Sequence, residues 1–228
     1  MTCLRVKEEF ESQITPRHVN GGCPYDVSKE KGVEKRGRVP KCSKKKIFFH
    51  DQENTYEIVE IKPHINNAGI ALFHLLHEAT AEDMMEMYKT NAIGPMLVTK
   101  AFFPLLKKAA QESPNEVKSC SRAAVINISS GAGSIERIPL EFSVQPLFEY
   151  RCSKAALNML TRCQAEAYKT DGIIAVAVAP GWVQTDMGGP KAHLKLHESV
   201  GGMMNMFDTL TEKHNGVFLN WRGQTLPW

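Results

Sequence analysis

Three stretches decide the fold: AAVINISSGAGS (123–134), YRCSK (150–154) and IIAVAVAPG (173–181). The first is a compact apolar run with β-branched Val125, Ile126 and Ile128, and it leaves through Ser129-Ser130-Gly131. Apolar on both faces, it predicts a buried parallel strand. The third has the same character. Between them, residues 150–169 carry Ala155, Ala156, Leu157, Leu160 and Ala167 and stop at Asp171-Gly172, the pattern of a helix. Strand, helix and strand in succession predict an α/β, doubly wound parallel sheet whose ligands bind at the carboxyl ends of the strands.

Upstream, Thr80 with Asp83 three residues later predicts a capping-box start to a helix through Met84, Met85, Met87 and Tyr88. An apolar face near helical spacing then runs through Ile93, Met96, Leu97, Phe102, Leu105, Leu106 and Ala109, predicting a long, mostly buried helix. Downstream of 181 come a Pro/Gly-bounded loop, a Met-rich helical segment and a last strand near 217–221.

Residues 1–64 read differently. Between 29 and 46 there are nine Lys or Arg against two Glu, with almost no apolar content to offset the cost of ordering. A basic, poorly ordered N-terminal segment over 1–64 and an α/β portion over 65–228 is the expected organisation. A short strand is expected at 56–61, interrupted by Lys62-Pro63-His64.

The balance of 43% hydrophobic and 23% charged residues at net charge +3 is that of a globular protein with a mildly acidic body. No apolar run reaches the ~18 residues of a membrane span and no signal peptide opens the chain, so a cytoplasmic location is expected. The six cysteines show no CxxC spacing, which predicts free thiols. His74 with His77, and His193 with His197, have helical metal-ligand spacing but no third ligand nearby in sequence, so no metal is expected. The basic segment lacks interleaved aromatics, which disfavours nucleic acid as a partner.

The chemistry centres on Tyr150 and Lys154. Four residues apart on a helix they share a face, so an ammonium can favour phenolate and lower a phenol pKa that starts near ~10. Such a tyrosine exchanges protons near neutrality. Ser129-Ser130, at a strand end, places a hydroxyl where it can bond a substrate oxygen as charge develops.

These residues, with Asn66-Asn67-Ala68-Gly69 upstream, Asn91 in TNAIGP and Pro180-Gly181-Trp182-Val183-Gln184-Thr185 downstream, resemble in order and spacing the short-chain dehydrogenases/reductases. Within that family the likeness runs toward the C-factor and sniffer-like carbonyl reductase branch, over about 65–228. The resemblance implies a Rossmann-like fold and an NADP- or NAD-dependent oxidoreductase acting on a small-molecule carbonyl or alcohol. It implies catalytic roles for Asn91, Ser130, Tyr150 and Lys154. Asn66, Ala68, Gly69, Tyr150, Lys154, Pro180, Gly181, Val183 and Thr185 would contact cofactor. Association into a homo-oligomer through the two long helices is implied as well.

Two departures qualify the resemblance. The family's nucleotide half opens with a TGxxxGxG turn that brings pyrophosphate to a helix N-terminus, and this sequence has none; Gly21-Gly22 lacks a third glycine and a preceding apolar strand. The expectation is a sheet lacking its first strand-helix units, replaced by 1–64 through splicing, truncation or gene-model error, and weak NADPH binding. A catalytically inactive form acting by association is the alternative. The segment from Ser130 to Tyr150 is also longer than is usual in the family, which suggests either a loop over the substrate pocket, with Ile138, Leu140, Phe142, Leu147 and Phe148 as candidate lining, or a surface insertion that packs on itself.

Overall fold

A computed structural model of the chain describes residues 47–50, 55–58, 63–112, 123–142 and 146–228. The elements run β1 (Ile47–His50), β2 (Thr55–Ile58), β3 (Pro63–Asn66), α1 (Ala81–Tyr88), a π-helical turn (Lys89–Ile93), α2 (Gly94–Glu112), β4 (Ala124–Ile128), α3 (Ile138–Glu141), α4 (Phe148–Ala167), β5 (Ile174–Ala179), α5 (Leu196–Phe207) and β6 (Phe218–Asn220). Strands β1 and β2 pair antiparallel, while β3-β4-β5-β6 form a parallel sheet in that order. The register sets Asn66 against Asn127, Ile128 against Val178 and Ala177 against Phe218.

The alternation of side chains along β4 and β5 explains why helices cover both faces. Ala124, Ile126, Ile174, Val176 and Val178 pack on one side with Met206, Phe207 and Leu210 from α5 and the turn after it. Val125, Ala175 and their neighbours pack on the other with Leu106, Ala109 and Ala110 of α2 and Ala165 of α4. All six residues of β5 are buried, as a continuous apolar run requires. The doubly wound parallel sheet expected from the sequence is thereby present.

The expected α1 start is made by a complete capping box, in which the Asp83 backbone N–H donates to Thr80 Oγ1 at 3.1 Å. Two boundaries differ from expectation. The long helix begins at Gly94 rather than Asn91, because 89–93 close the wider π turn. Of the strand expected at 56–61, the described part is Thr55–Ile58, and 59–61 lie outside the described residues. Pro63, expected to interrupt, instead opens β3, where its missing N–H is tolerated at a strand's first residue. Among the described residues β3 has a strand neighbour on one side only, β4. Most of the 1–64 segment, and its expected poor order, lies outside the described residues. Cys152 and Cys163 are free thiols; the other four cysteines lie outside as well. Among the described residues no helix is long and apolar enough to cross a membrane.

Candidate active site

The sheet brings the motifs together at the carboxyl ends of three adjacent strands. Residues 66–69 leave β3, Ser129-Ser130 leave β4 and Pro180-Gly181 leave β5. The Ser129 N–H donates to Val178 O at 2.7 Å, so the β4 and β5 exits are held side by side.

Helix α4 carries Tyr150 and Lys154, the pair expected from the sequence. It is entered through Leu147, buried and left-handed at φ 35°, a conformation that costs a non-glycine residue roughly 1 kcal/mol and turns the chain sharply into the helix. One turn in, Tyr150 is half-buried and its hydroxyl is hydrogen-bonded to Ser130. Lys154, a further turn on and buried, donates from Nζ to Ile128 O at 2.9 Å and lies 5.6 Å from the Tyr150 ring centroid. Burial lowers the Lys154 ammonium to about 8. The phenol departs from expectation. Burial raises it above its ordinary value, with the Ser130 bond pulling the other way.

Ser130 is fixed by the turn it begins, accepting from the Ala132 N–H at 3.2 Å. That turn lies directly on α4: a Cβ on Gly133 would stand 2.9 Å from the Lys154 carbonyl carbon. Ser129 turns away to donate to Asn158 Oδ1 at 2.6 Å, and Asn158 returns a bond to Gly133 O at 3.1 Å. Of the two serines Ser130 alone faces Tyr150.

Asn91, fully buried in the π turn, grips the chain after β3 on both sides. Its Oδ1 accepts from the Ile70 N–H and its Nδ2 donates to Ile70 O, each at 2.9 Å. Nδ2 also reaches Ser153 Oγ at 2.9 Å, which ties the turn to α4. Gly69 sits between these groups; a Cβ there would lie 3.3 Å from Asn91 Oδ1 and 3.4 Å from Lys154 Nζ. Gly69, Asn91, Ser130, Tyr150 and Lys154 therefore converge.

Other expected residues do different things. The Asn66 side chain is buried and spent inside the protein, donating to Thr99 Oγ1 at 2.9 Å and Asn127 Oδ1 at 2.7 Å and bonding His64 Nε2 at 2.9 Å. Ala68 is exposed at the β3 exit. Gly181 has φ +86° and no room for a side chain, since a Cβ would come 2.8 Å from Leu194 Cδ2. Pro180 O accepts from Ser199 Oγ at 2.7 Å, and Val183 bridges to Leu194. Thr185 is exposed beside an open cleft of about 490 Å³ shared with Gln184, Asp186, Gly189 and Pro190. Of the five apolar residues between Ser130 and Tyr150, Leu147 is buried and Leu140 is 79% exposed, and a short helix, α3, occupies part of the segment.

Sequence reasoning passed over the supporting residues Gly133, Ser153 and Asn158; the last two lie three and four residues from Tyr150 and Lys154, on the helix face toward the site. It also saw no third ligand for His74. Asp83 and Glu149 lie beside that histidine in the fold, Glu149 from 75 positions away.

Residues 52–195 match the family model described as short chain dehydrogenase. The chain belongs to the short-chain dehydrogenase family. Its sequence is 37% identical to C-signal of Myxococcus xanthus over 165 residues, 72% of this chain and 90% of that one. Among solved structures it resembles an NADPH-bound carbonyl reductase from chicken fatty liver (53% identity, TM-score 0.69, 72% of this chain) and the carbonyl reductase Sniffer of D. melanogaster (36% identity, TM-score 0.70, 74% of this chain). The chain spans 62% of the chicken protein and 67% of Sniffer. The family assignment agrees with the order of motifs from Asn66 to Thr185.

Proposed function

We propose that this short-chain dehydrogenase is an NADP(H)- or NAD(H)-dependent carbonyl reductase, with Tyr150 as acid/base, Ser130 as the donor to the substrate oxygen, and Lys154 and Asn91 in support. The observation that carries the reading is the hydrogen bond between Tyr150 and Ser130 with Lys154 Nζ over the phenol ring. Two hydroxyls so joined can meet one carbonyl oxygen, Ser130 polarising it while Tyr150 delivers the proton.

The described residues suit the nicotinamide end of a dinucleotide. Among the described residues Lys154 Nζ makes one hydrogen bond, so its other N–H groups remain for ribose hydroxyls, and Gly69 leaves open the space beside it that a Cβ would fill. Pro180, Gly181, Val183 and Thr185 form the loop at the next strand end. When bound, the cofactor supplies the hydride to a carbonyl or accepts it from an alcohol. Tyr150 in its neutral form is suited to donate, which favours reduction at neutral pH, and Lys154 stabilises the tyrosinate left behind. The described residues named here are those of the nicotinamide end of the cofactor.

Purified chain incubated with NADPH and an aromatic aldehyde is the test. Turnover that rises into millimolar NADPH and vanishes in Tyr150→Phe supports the reading. Turnover retained in Tyr150→Phe, or absent at every NADPH concentration, overturns it, the latter in favour of an inactive form acting by association. The exposed Met85, Ile93, Met96, Leu97 and Met159 on α1, the π turn, α2 and α4 support self-association in either case.

A further inference from the structure

Outside the Tyr150 site, the loop after β3 and the starts of α1 and α4 bring three metal-ligating side chains together. Nδ1 of His74 lies 3.1 Å from Glu149 Oε1 and 3.6 Å from Asp83 Oδ2, and one donor atom from each residue falls within 4.8 Å of the other two. Four ligands about 2.0–2.1 Å from a tetrahedral zinc stand about 3.3 Å apart, so both His74 separations are close to an edge of that polyhedron.

Each residue has an ordinary explanation that falls short of the whole. Asp83 closes the capping box of α1, with Thr80 Oγ1 donating to its Oδ2. Glu149 could be a first-turn carboxylate favoured by the helix N-terminus. Yet it is wholly buried, and among the described residues its Oε2 has no hydrogen-bond partner, neither from the N–H groups at the start of α4 nor from any side chain. A buried carboxylate oxygen left bare is costly, and an adjacent second carboxylate adds to that cost. A single imidazolium could balance one of the two charges; a divalent cation balances both, and a Glu149 carboxylate bound to it through both oxygens gives Oε2 a partner.

We propose that His74 Nδ1 and the carboxylates of Asp83 and Glu149 bind a divalent transition-metal ion, zinc being the natural probe for a mixed N/O set. His74 and Asp83 are 38% and 25% exposed, so the ion has an entry path and water completes its coordination. His74 binds as the neutral imidazole, its bond to Glu149 being replaced by two metal bonds. The site lies one residue before Tyr150, where the metal staples the loop following β3 to the catalytic helix. It is structural and does not depend on the reductase reading.

Zinc titration of the full chain by calorimetry, after chelator treatment, tests this, with Co²⁺ absorption as the coordination probe. The expected result is micromolar or tighter zinc affinity that weakens at least tenfold in both His74→Ala and Glu149→Gln. Four-coordinate Co²⁺ bands of N/O type should disappear in the same variants. His74 is partly exposed, so His74→Ala should retain the wild-type circular-dichroism spectrum and separates lost ligation from lost folding. No zinc uptake by the wild type, uptake unchanged in His74→Ala, or thiolate charge-transfer bands from Co²⁺ held elsewhere with no N/O bands overturns the proposal.

Discussion

Lys154 donates its hydrogen bond to the main-chain oxygen of Ile128, the last residue of β4, and thereby joins the catalytic helix to the strand that carries Ser130. A buried ammonium is thus held against the end of the sheet, below the phenol ring it serves. Its charge costs stability, and that cost can be measured. With the folded-state value lowered from 10.5 to about 8, the unfolded chain binds the proton more tightly, so folding is penalised below pH 8 and the penalty fades as pH rises toward 10.5. Between pH 8 and 10 the urea-unfolding free energy of wild type should gain about 2 kcal/mol relative to Lys154→Met. At pH 7 that variant should lose turnover without losing stability. A parallel pH dependence in the two proteins would contradict this.

Tyr150 gives the second prediction. Desolvation favours the protonated phenol, so the difference between wild-type and Tyr150→Phe ultraviolet titrations should show a phenolate forming at higher pH than for an ordinary tyrosine in the cofactor-free chain. Turnover of Tyr150→Phe should fall roughly 10²–10⁴-fold with an unchanged circular-dichroism spectrum.

His64 is buried against Phe102 and bonded to Asn66, and burial lowers it from 6.5 to about 4. The unfolded chain therefore takes up this proton first. Stability is full above pH 6.5 and is lost as pH falls toward 4, with about 2 kcal/mol gone at pH 5 from this residue. Comparing the pH 5 and pH 7 unfolding free energies of wild type and His64→Leu should show a shallower drop in the variant.

Asn91→Ala removes both bonds to Ile70 and the one to Ser153. A loss of about 2–4 kcal/mol is expected, since buried partners are left unsatisfied. Asn91→Asp retains the acceptor for the Ile70 N–H but no donor, and should fall between. Chemical-denaturation midpoints order the three proteins.

Gly133→Ala should push the Ser130 turn off α4, because the new methyl would stand 2.9 Å from the Lys154 carbonyl carbon and Cβ. An overpacking loss of about 1–3 kcal/mol should accompany a fall in kcat larger than any change in KM for the aldehyde. Gly201→Ala is a control for the added methyl, since open space surrounds that position and its backbone is not left-handed.

Much of this was legible in the chain itself. The apolar runs 123–129 and 173–179 could only be buried strands, and Thr80 with Asp83 could be read as a helix start because capping is local chemistry. Local spacing likewise put Tyr150 and Lys154 on one helix face. The π turn at Asn91 was not legible, since neighbouring α segments share its apolar spacing. Nor was the strand at Pro63–Asn66, whose polar His64 and Asn66 become acceptable only through partners on other elements.

What the sequence determined, then, was the strands and helices with strong local signals, the motif order and the family, because each depends on residues within a turn or two of one another or on simple order along the chain. The tertiary structure decided which groups face each other: that Ser130 rather than Ser129 meets Tyr150, that burial rather than Lys154 governs the phenol, and that Glu149 reaches His74 and Asp83. Those outcomes depend on distance and desolvation between elements 20 to 75 residues apart, set by the parallel register and by the helix packing on the sheet rather than by local spacing.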